Sequence, residues 1–115
     1  MKAEEHRLQV QIAKWLDWTQ DFPFFAIPNG GLRNIKVAAM LKAEGVKAGV
    51  ADMFWMISND KWDGLFVEVK IKGAYQQPSQ KEFEAKCLQQ GYYYSVVRSI
   101  EDCEHLINQF KTNQI

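Results

Sequence analysis

VADMFWMISNDKWDGLFVEVKIK, residues 50–72, contains two apolar runs rich in β-forming residues, separated by a short polar segment. The runs favour strands, whereas the composition of residues 58–63 favours a turn, so the stretch predicts a β-hairpin. If its turn is centred near Asp60, Asp52 and Glu68 lie directly opposite each other, with Cβ atoms about 5 Å apart. The predicted strands are Val50–Ile57 and Gly64–Ile71.

This register gives the hairpin two different faces. The apolar face supports the register, because a slip of one residue would exchange the two faces. Its members are Ala51, Met53, Trp55, Ile57, Leu65, Val67, Val69 and Ile71. The other face is apolar near the turn and charged at its far end, where it carries Asp52, Glu68, Lys70 and Lys72. Charges are therefore concentrated at one end of a largely buried sheet.

Two opposed carboxylates in such a place predict a metal site. Asp52 and Glu68 repel each other unless a proton or a cation lies between them, and Mg²⁺ prefers oxygen ligands. A third carboxylate from the first helix and a backbone carbonyl near Val69 would complete the protein ligands. Lys70 projects to the same face as Glu68, where its ammonium can hold an attacking water or stabilise phosphate charge. These are the parts of a phosphodiester hydrolase.

The hairpin alone leaves an alternative open. Asp52 and Glu68 would be solvated residues on the polar face of an edge hairpin, and Lys70 would be their diagonal ion-pair partner. The pattern E-x-K is too short to decide between a site and a solvated surface.

Upstream of the hairpin, an i, i+4, i+7, i+8 pattern that starts at Leu8 predicts a helix over residues 3–18. Its inner face reaches back to Glu4 or Glu5, and periodicity does not choose between them. The apolar run 24–27 predicts a strand. A break follows at Pro28-Asn29-Gly30-Gly31, and then a helix capped by Asn34 that ends at Gly45.

Downstream, Ser79-Gln80-Lys81-Glu82 has the form of a capping box and predicts a helix that ends at Gln90-Gly91. Its predicted inward residues are Phe83, Cys87 and Leu88. Residues 92–97 predict a strand, and the face formed by Cys103, Leu106, Ile107 and Phe110 predicts a last helix. The order is αβαββαβα, which indicates an α/β domain.

Composition narrows the class of protein. The length of 115 residues predicts one domain over residues 1–115, and 14 basic residues balance 14 acidic ones, so net charge does not indicate a polyanion partner. The spacing of Cys87 and Cys103 suggests neither a disulfide framework nor a zinc site, which favours a reduced, cytoplasmic protein. His6 and His105 lack a metal-ligand partner at i+4.

Several motifs together resemble one nuclease family. They are Glu5 to Gln9, Ile27-Pro28-Asn29-Gly30-Gly31, the run Gly45 to Ala51 before Asp52, Val67-Glu68-Val69-Lys70, Ser79-Gln80-Lys81 and Gly91-Tyr92. In order and spacing they resemble the virus-type replication-repair nuclease (VRR-NUC) domain over about Glu4 to Ile107. The resemblance implies the PD-(D/E)xK restriction-endonuclease-like fold, a mixed β-sheet flanked by helices. It also implies dependence on Mg²⁺ or Mn²⁺, and cleavage of DNA phosphodiester bonds.

The resemblance also assigns roles to residues. Glu5, Asp52 and Glu68 match the acidic metal positions, Lys70 the catalytic lysine and Gln80 the polar residue of the following helix. Ala51 stands where the family usually has proline, which affects a backbone restraint and no ligand. The predicted catalytic residues are Asp52, Glu68, Lys70 and Gln80, and the predicted metal ligands are Glu5, Asp52, Glu68 and the Val69 carbonyl.

Other assignments remain open at this point. Gln80 is equally suited to satisfying backbone groups at a helix start. Of the scattered lysines, those nearest the motifs are the best candidates for contacts with DNA phosphates: Lys47, Lys72 and Lys81.

Small stand-alone members of the family include homodimers that cut four-way (Holliday) junctions. The surplus aromatics Trp18, Phe22, Trp62 and Tyr92 to Tyr94 offer a dimer interface. The alternative function is a non-catalytic DNA-binding or accessory module with the same fold.

Overall fold

The computed structural model describes residues 2–28 and 34–115 and shows helices and strands in the predicted order. The predicted break at Asn29-Gly30-Gly31 lies outside these residues. No helix within them is long and apolar enough to cross a membrane. The elements are α1 Ala3–Thr19, β1 Phe24–Ala26, α2 Ile35–Ala43, β2 Met53–Trp55, β3 Leu65–Val69, α3 Pro78–Gln89, β4 Tyr93–Val97 and α4 Ile100–Lys111.

The four strands form one mixed sheet in the order β1-β2-β3-β4. β1, β2 and β3 pair antiparallel, and β4 runs parallel to β3 after the crossover through α3. Met53 pairs with Val67 and Phe54 with Phe66, which is the register predicted from the hairpin. β3 therefore lies inside the sheet, between β2 and β4, and not at an edge.

The predicted apolar face of the hairpin forms the main core. Trp55, Leu65 and Val67 are fully buried on this face. Ile12 and Leu16 of α1 pack against them, together with the predicted inward residues of α4, Cys103, Leu106, Ile107 and Phe110. The helical and strand periodicities read from the sequence thus identify the residues that meet in this core.

The opposite face of the sheet carries an aromatic layer under α3. The Phe66 ring lies 5.2 Å from Phe83 and 4.8 Å from Phe54, measured between centroids. Ala51 belongs to this second cluster, together with Cys87 and Tyr94, and not to the predicted apolar face. β2 begins only at Met53, so strict strand alternation does not extend back to residue 51.

The predicted start of α3 is wrong. The helix begins at Pro78, with Gln77 as the N-cap, so Ser79 lies inside the first turn. Proline suits the first helical position because the missing N–H has no partner there. Leu88 is exposed, whereas the prediction placed it inward with Cys87.

α2 is an apolar helix without a buried residue. Its N-cap is the predicted one, since the Asn34 side chain accepts a hydrogen bond from the Val37 N–H. Ile35 and Met40 are 89% and 60% exposed, and Phe25 on the edge strand β1 is half exposed. Of the aromatics predicted for an interface, only Trp18 is largely exposed, and the exposed apolar side chains of α2 and β1 are not among the predicted ones.

Candidate active site

A cavity of about 710 Å³ opens at the charged end of the sheet. Residues from α1, α2, the loop before β2, β3 and the first turn of α3 form its wall. Its charged and amide side chains are Lys2, Glu5, Lys42, Lys47, Asp52, Glu68, Lys70, Gln77 and Gln80. Segments that are distant in the sequence therefore contribute to one site, of a size typical of ligand-binding clefts.

The hairpin places three predicted site residues inside the wall. Asp52, Glu68 and Lys70 are 6%, 2% and 7% exposed, which excludes the alternative of a solvated polar face. The Asp52 carboxylate accepts a hydrogen bond of 2.8 Å from the Val69 N–H. The Asp52 carbonyl accepts another, also 2.8 Å, from the Ile27 N–H, so the backbone before β2 is tied to the end of β1.

Burial and the neighbouring carboxylate change the ionisation of Glu68. Desolvation is the largest cause, followed by the hydrogen bond and the negative charge of Asp52, and together they raise the pKa of Glu68 from its ordinary value of 4.5 to about 9. The charge of Lys70 and a hydrogen bond from Tyr94 lower the pKa but do not offset the rise. Without a cation, Glu68 therefore holds a proton at neutral pH.

Gln80 caps the start of α3 and also contacts Glu68, and its catalytic role stays a prediction. Its Oε1 accepts a hydrogen bond of 2.7 Å from the Gln77 N–H at the helix start. Its Nε2 donates to Glu68 Oε2 at 3.1 Å. A capping interaction thus fixes the amide orientation in which the nitrogen points at the carboxylate.

The structure distinguishes the two candidate acids of α1. Glu5 is buried in the cavity wall, whereas Glu4 is exposed. Glu5 Oε2 accepts a long hydrogen bond of 3.4 Å from the Ile71 N–H. Among residues 2–28 and 34–115, no group of three or more His, Cys, Asp or Glu side chains is arranged to hold a metal ion. Direct ligation by Glu5, or by the Val69 carbonyl, therefore stays a prediction.

Of the three lysines predicted to contact DNA, one lines the cavity. Lys47 lines it, as do Lys2 and Lys42. Lys72 and Lys81 are exposed and lie outside its lining. Lys42 comes to the cavity on α2 through tertiary packing, and DNA binding by Lys47, Lys72 and Lys81 stays a prediction.

Tyr94 is a neighbour of the site that the sequence did not reveal. It is buried on β4, and its hydroxyl donates to Glu68 Oε1 at 3.3 Å. Burial raises the pKa of the Tyr94 hydroxyl, as does the charge of Glu68. The register between β3 and β4 would have identified Tyr94 as a neighbour of Glu68. It pairs Glu68 with Val96, and Tyr94 lies on the same face of β4 as Val96. The sequence did not give this register.

The fold and the cavity define the chain as an α/β domain of the nuclease type, with acidic residues and a lysine gathered at one end of a mixed sheet. Residues 1–101 match the family model of the VRR-NUC domain, so the chain belongs to this family. It is also similar to a solved structure of a "VRR_NUC domain protein", with 28% identity and a TM-score of 0.75, over 92% of this chain and 86% of that one. None of the curated proteins matches.

Membership confirms the resemblance seen in the motifs and gives the coarse function. The chain is a member of a nuclease family, and DNA is the substrate class that this implies. Nuclease domains of this family generally use divalent metals.

Proposed function

We propose that this protein is a divalent-metal-dependent endodeoxyribonuclease that hydrolyses phosphodiester bonds in branched DNA as a homodimer. One observation carries the proposal: Asp52, Glu68, Lys70 and Gln80 line a single cavity, and three of the four are buried. Buried charges are costly unless a ligand or partner compensates them, so their gathering in one cleft supports a catalytic site.

The donor chemistry fits Mg²⁺ or Mn²⁺. Two buried carboxylates are in hydrogen-bond contact, and one of them keeps a proton that a divalent cation would displace. Asp52 and Glu68 would hold the ion, with Glu5 and the Val69 carbonyl as the further predicted ligands. When bound, the ion supplies a Lewis acid that polarises the scissile phosphate.

The other residues act on substrate and nucleophile. Lys70, on the face of Glu68, would direct its ammonium at the attacking water or at charge that develops on the phosphate. Gln80 keeps Glu68 oriented through the 3.1 Å hydrogen bond. Lys42 and Lys47, with Lys2, give the cavity a basic wall that can contact DNA phosphates.

Cleavage assays test the catalytic part. Labelled linear duplex, flap and four-way junction DNA are incubated with Mg²⁺ or Mn²⁺, and we expect metal-dependent cleavage that is strongest on the junction. Glu68→Gln should abolish cleavage, whereas Glu104→Gln, a matched change at an exposed position of α4, should leave it intact. DNA binding without cleavage in any metal would instead establish the non-catalytic module.

Symmetric cleavage of a junction requires two active sites, and a two-fold dimer supplies them. The exposed apolar side chains of α2 and β1 support such a dimer, because monomeric proteins seldom expose large apolar areas. Light scattering at micromolar concentration should give the mass of a dimer. Met40→Glu should give a monomer that no longer cuts junctions in paired fashion, whereas Leu88→Glu, an exposed apolar position on α3, should remain dimeric.

A further inference from the structure

A chain of hydrogen bonds reaches Oε1 of Glu68, the oxygen that Gln80 does not contact. The Gln76 Nε2 atom donates to Glu84 Oε1 at 3.0 Å and to the Tyr94 hydroxyl oxygen at 3.2 Å. The Tyr94 hydroxyl donates in turn to Glu68 Oε1 at 3.3 Å. These residues come from the loop before α3, from α3, from β4 and from β3.

The chemistry of the groups fixes the direction of this chain. Glu84 Oε1 accepts the hydrogen bond from Gln76, so Gln76 has the orientation that presents its NH₂ group. The same NH₂ group carries two hydrogens, so it can also donate a hydrogen bond to the Tyr94 hydroxyl oxygen. Because the Tyr94 oxygen then accepts from Gln76, its single hydrogen is left to point at Glu68.

The consequence is that each oxygen of Glu68 accepts a hydrogen bond from a neighbouring side chain. Gln80 binds Oε2 and Tyr94 binds Oε1. Two donors on one carboxylate restrict its rotation. A carboxylate held in this way loses less conformational entropy when it binds a cation.

We propose that Tyr94, Gln76 and Glu84 form a positioning relay that orients Glu68 for metal binding. The relay rests on the proposed function, since it requires Glu68 to be a ligand. None of its three residues needs to touch metal or DNA, so they act through Glu68 alone. Partners of this kind change metal affinity about 10- to 100-fold when they are removed.

Tyr94→Phe tests the relay, because it removes one hydroxyl and keeps the ring that packs 6.2 Å from Phe83. The matched control is Tyr93→Phe. The neighbouring Tyr93 packs on the other side of the sheet, 5.4 Å from Trp62 and 6.4 Å from Phe110. Calorimetry with Mn²⁺ should show about 10-fold weaker binding by Tyr94→Phe. Tyr93→Phe should bind Mn²⁺ as the wild type does.

Kinetics and a double mutant separate positioning from general damage. The Mn²⁺ concentration for half-maximal cleavage should rise about 10-fold in Tyr94→Phe. The KM for DNA should stay unchanged. Gln76→Ala should also weaken Mn²⁺ binding. The double variant with Tyr94→Phe should bind Mn²⁺ only slightly more weakly than Tyr94→Phe alone, because the two residues act in series.

The outcomes distinguish the relay from the function on which it rests. If the wild type binds Mn²⁺ and Tyr94→Phe binds it equally well, the relay is refuted and the nuclease proposal stands. If the two substitutions weaken Mn²⁺ binding independently, Tyr94 and Gln76 do not form a chain and the relay is refuted as well. If the wild type itself binds no divalent cation, the proposed function fails and the relay fails with it.

Discussion

Replacing Glu68 by Gln should remove a pH dependence from the stability of the metal-free protein. Burial and Asp52 raise the pKa of Glu68 to about 9 in the folded state, against 4.5 ordinarily. Between these two values the folded state keeps a proton that the unfolded chain has released. The free energy of unfolding therefore falls as pH rises through this window, and the contribution is fully present only below the ordinary pKa.

The size of the effect follows from one proton. A difference of one bound proton changes the free energy of unfolding by about 1.4 kcal/mol per pH unit. Between pH 6 and pH 8, within the window, the wild type should lose about 3 kcal/mol through Glu68. For a chain of this size such a loss lowers Tm by on the order of 10 °C. Glu68→Gln carries no titratable group at this position and should not show this loss.

The assay is urea denaturation in EDTA at several pH values from 6 to 8, on the wild type, Glu68→Gln and the exposed control Glu104→Gln. The other titratable groups contribute equally to the pH dependence of all three proteins, so the difference between their profiles isolates the contribution of Glu68. Saturating Mg²⁺ should flatten the wild-type profile, because the ion replaces the proton between the carboxylates. Parallel profiles for wild type and Glu68→Gln in EDTA would refute the reasoning, since Glu68 would then be ionised throughout.

Three further outcomes are expected. Lys70→Ala should lower kcat on cleavable DNA and largely retain DNA binding in a gel-shift assay, because the lysine acts on the transition state; an equal loss of binding would make it a phosphate anchor. Asp52→Asn can still accept the Val69 N–H and should melt no lower than the metal-free wild type, whereas Asp52→Ala should lose about 1–3 kcal/mol in urea denaturation from an unsatisfied buried donor. In the same assay, Gly49→Ala should lower the free energy of unfolding more than Gly45→Ala does. Both glycines have positive φ, but a Cβ at Gly49 would lie 2.6 Å from the α3 backbone, whereas a Cβ at Gly45 meets nothing within 4 Å; equal costs would show that the close approach is relieved freely.

The element order and the central pair of acids could be predicted from the sequence because they depend on local periodicity. Alternation with a period of two fixes the face of each residue in a strand, and the turn composition near Asp60 fixes the register. Together they predict the register of the hairpin, which the pairing of Met53 with Val67 confirms, and this register brings Asp52 and Glu68 to the same end of the sheet. The inner face of α4 could be read in the same way from its helical period.

Local rules failed where a residue lies at the end of an element. Ala51 precedes the first residue of β2 and so packs with the second cluster, and Ser79 lies inside a helix that Pro78 begins. Periodicity holds inside an element and gives no information beyond its ends.

The other residues of the cavity wall were decided by tertiary structure. Glu5, and not Glu4, turns inward because α1 packs through Ile12 and Leu16 on the sheet, and this packing sets the rotation of the whole helix. Lys42 reaches the cavity and Tyr94 reaches Glu68 through contacts between elements that are distant in the chain. A sequence pattern specifies which face of an element a side chain occupies. The side chains that meet across two elements depend on how the elements pack, and that is set by the summed contacts of the core rather than by any one segment.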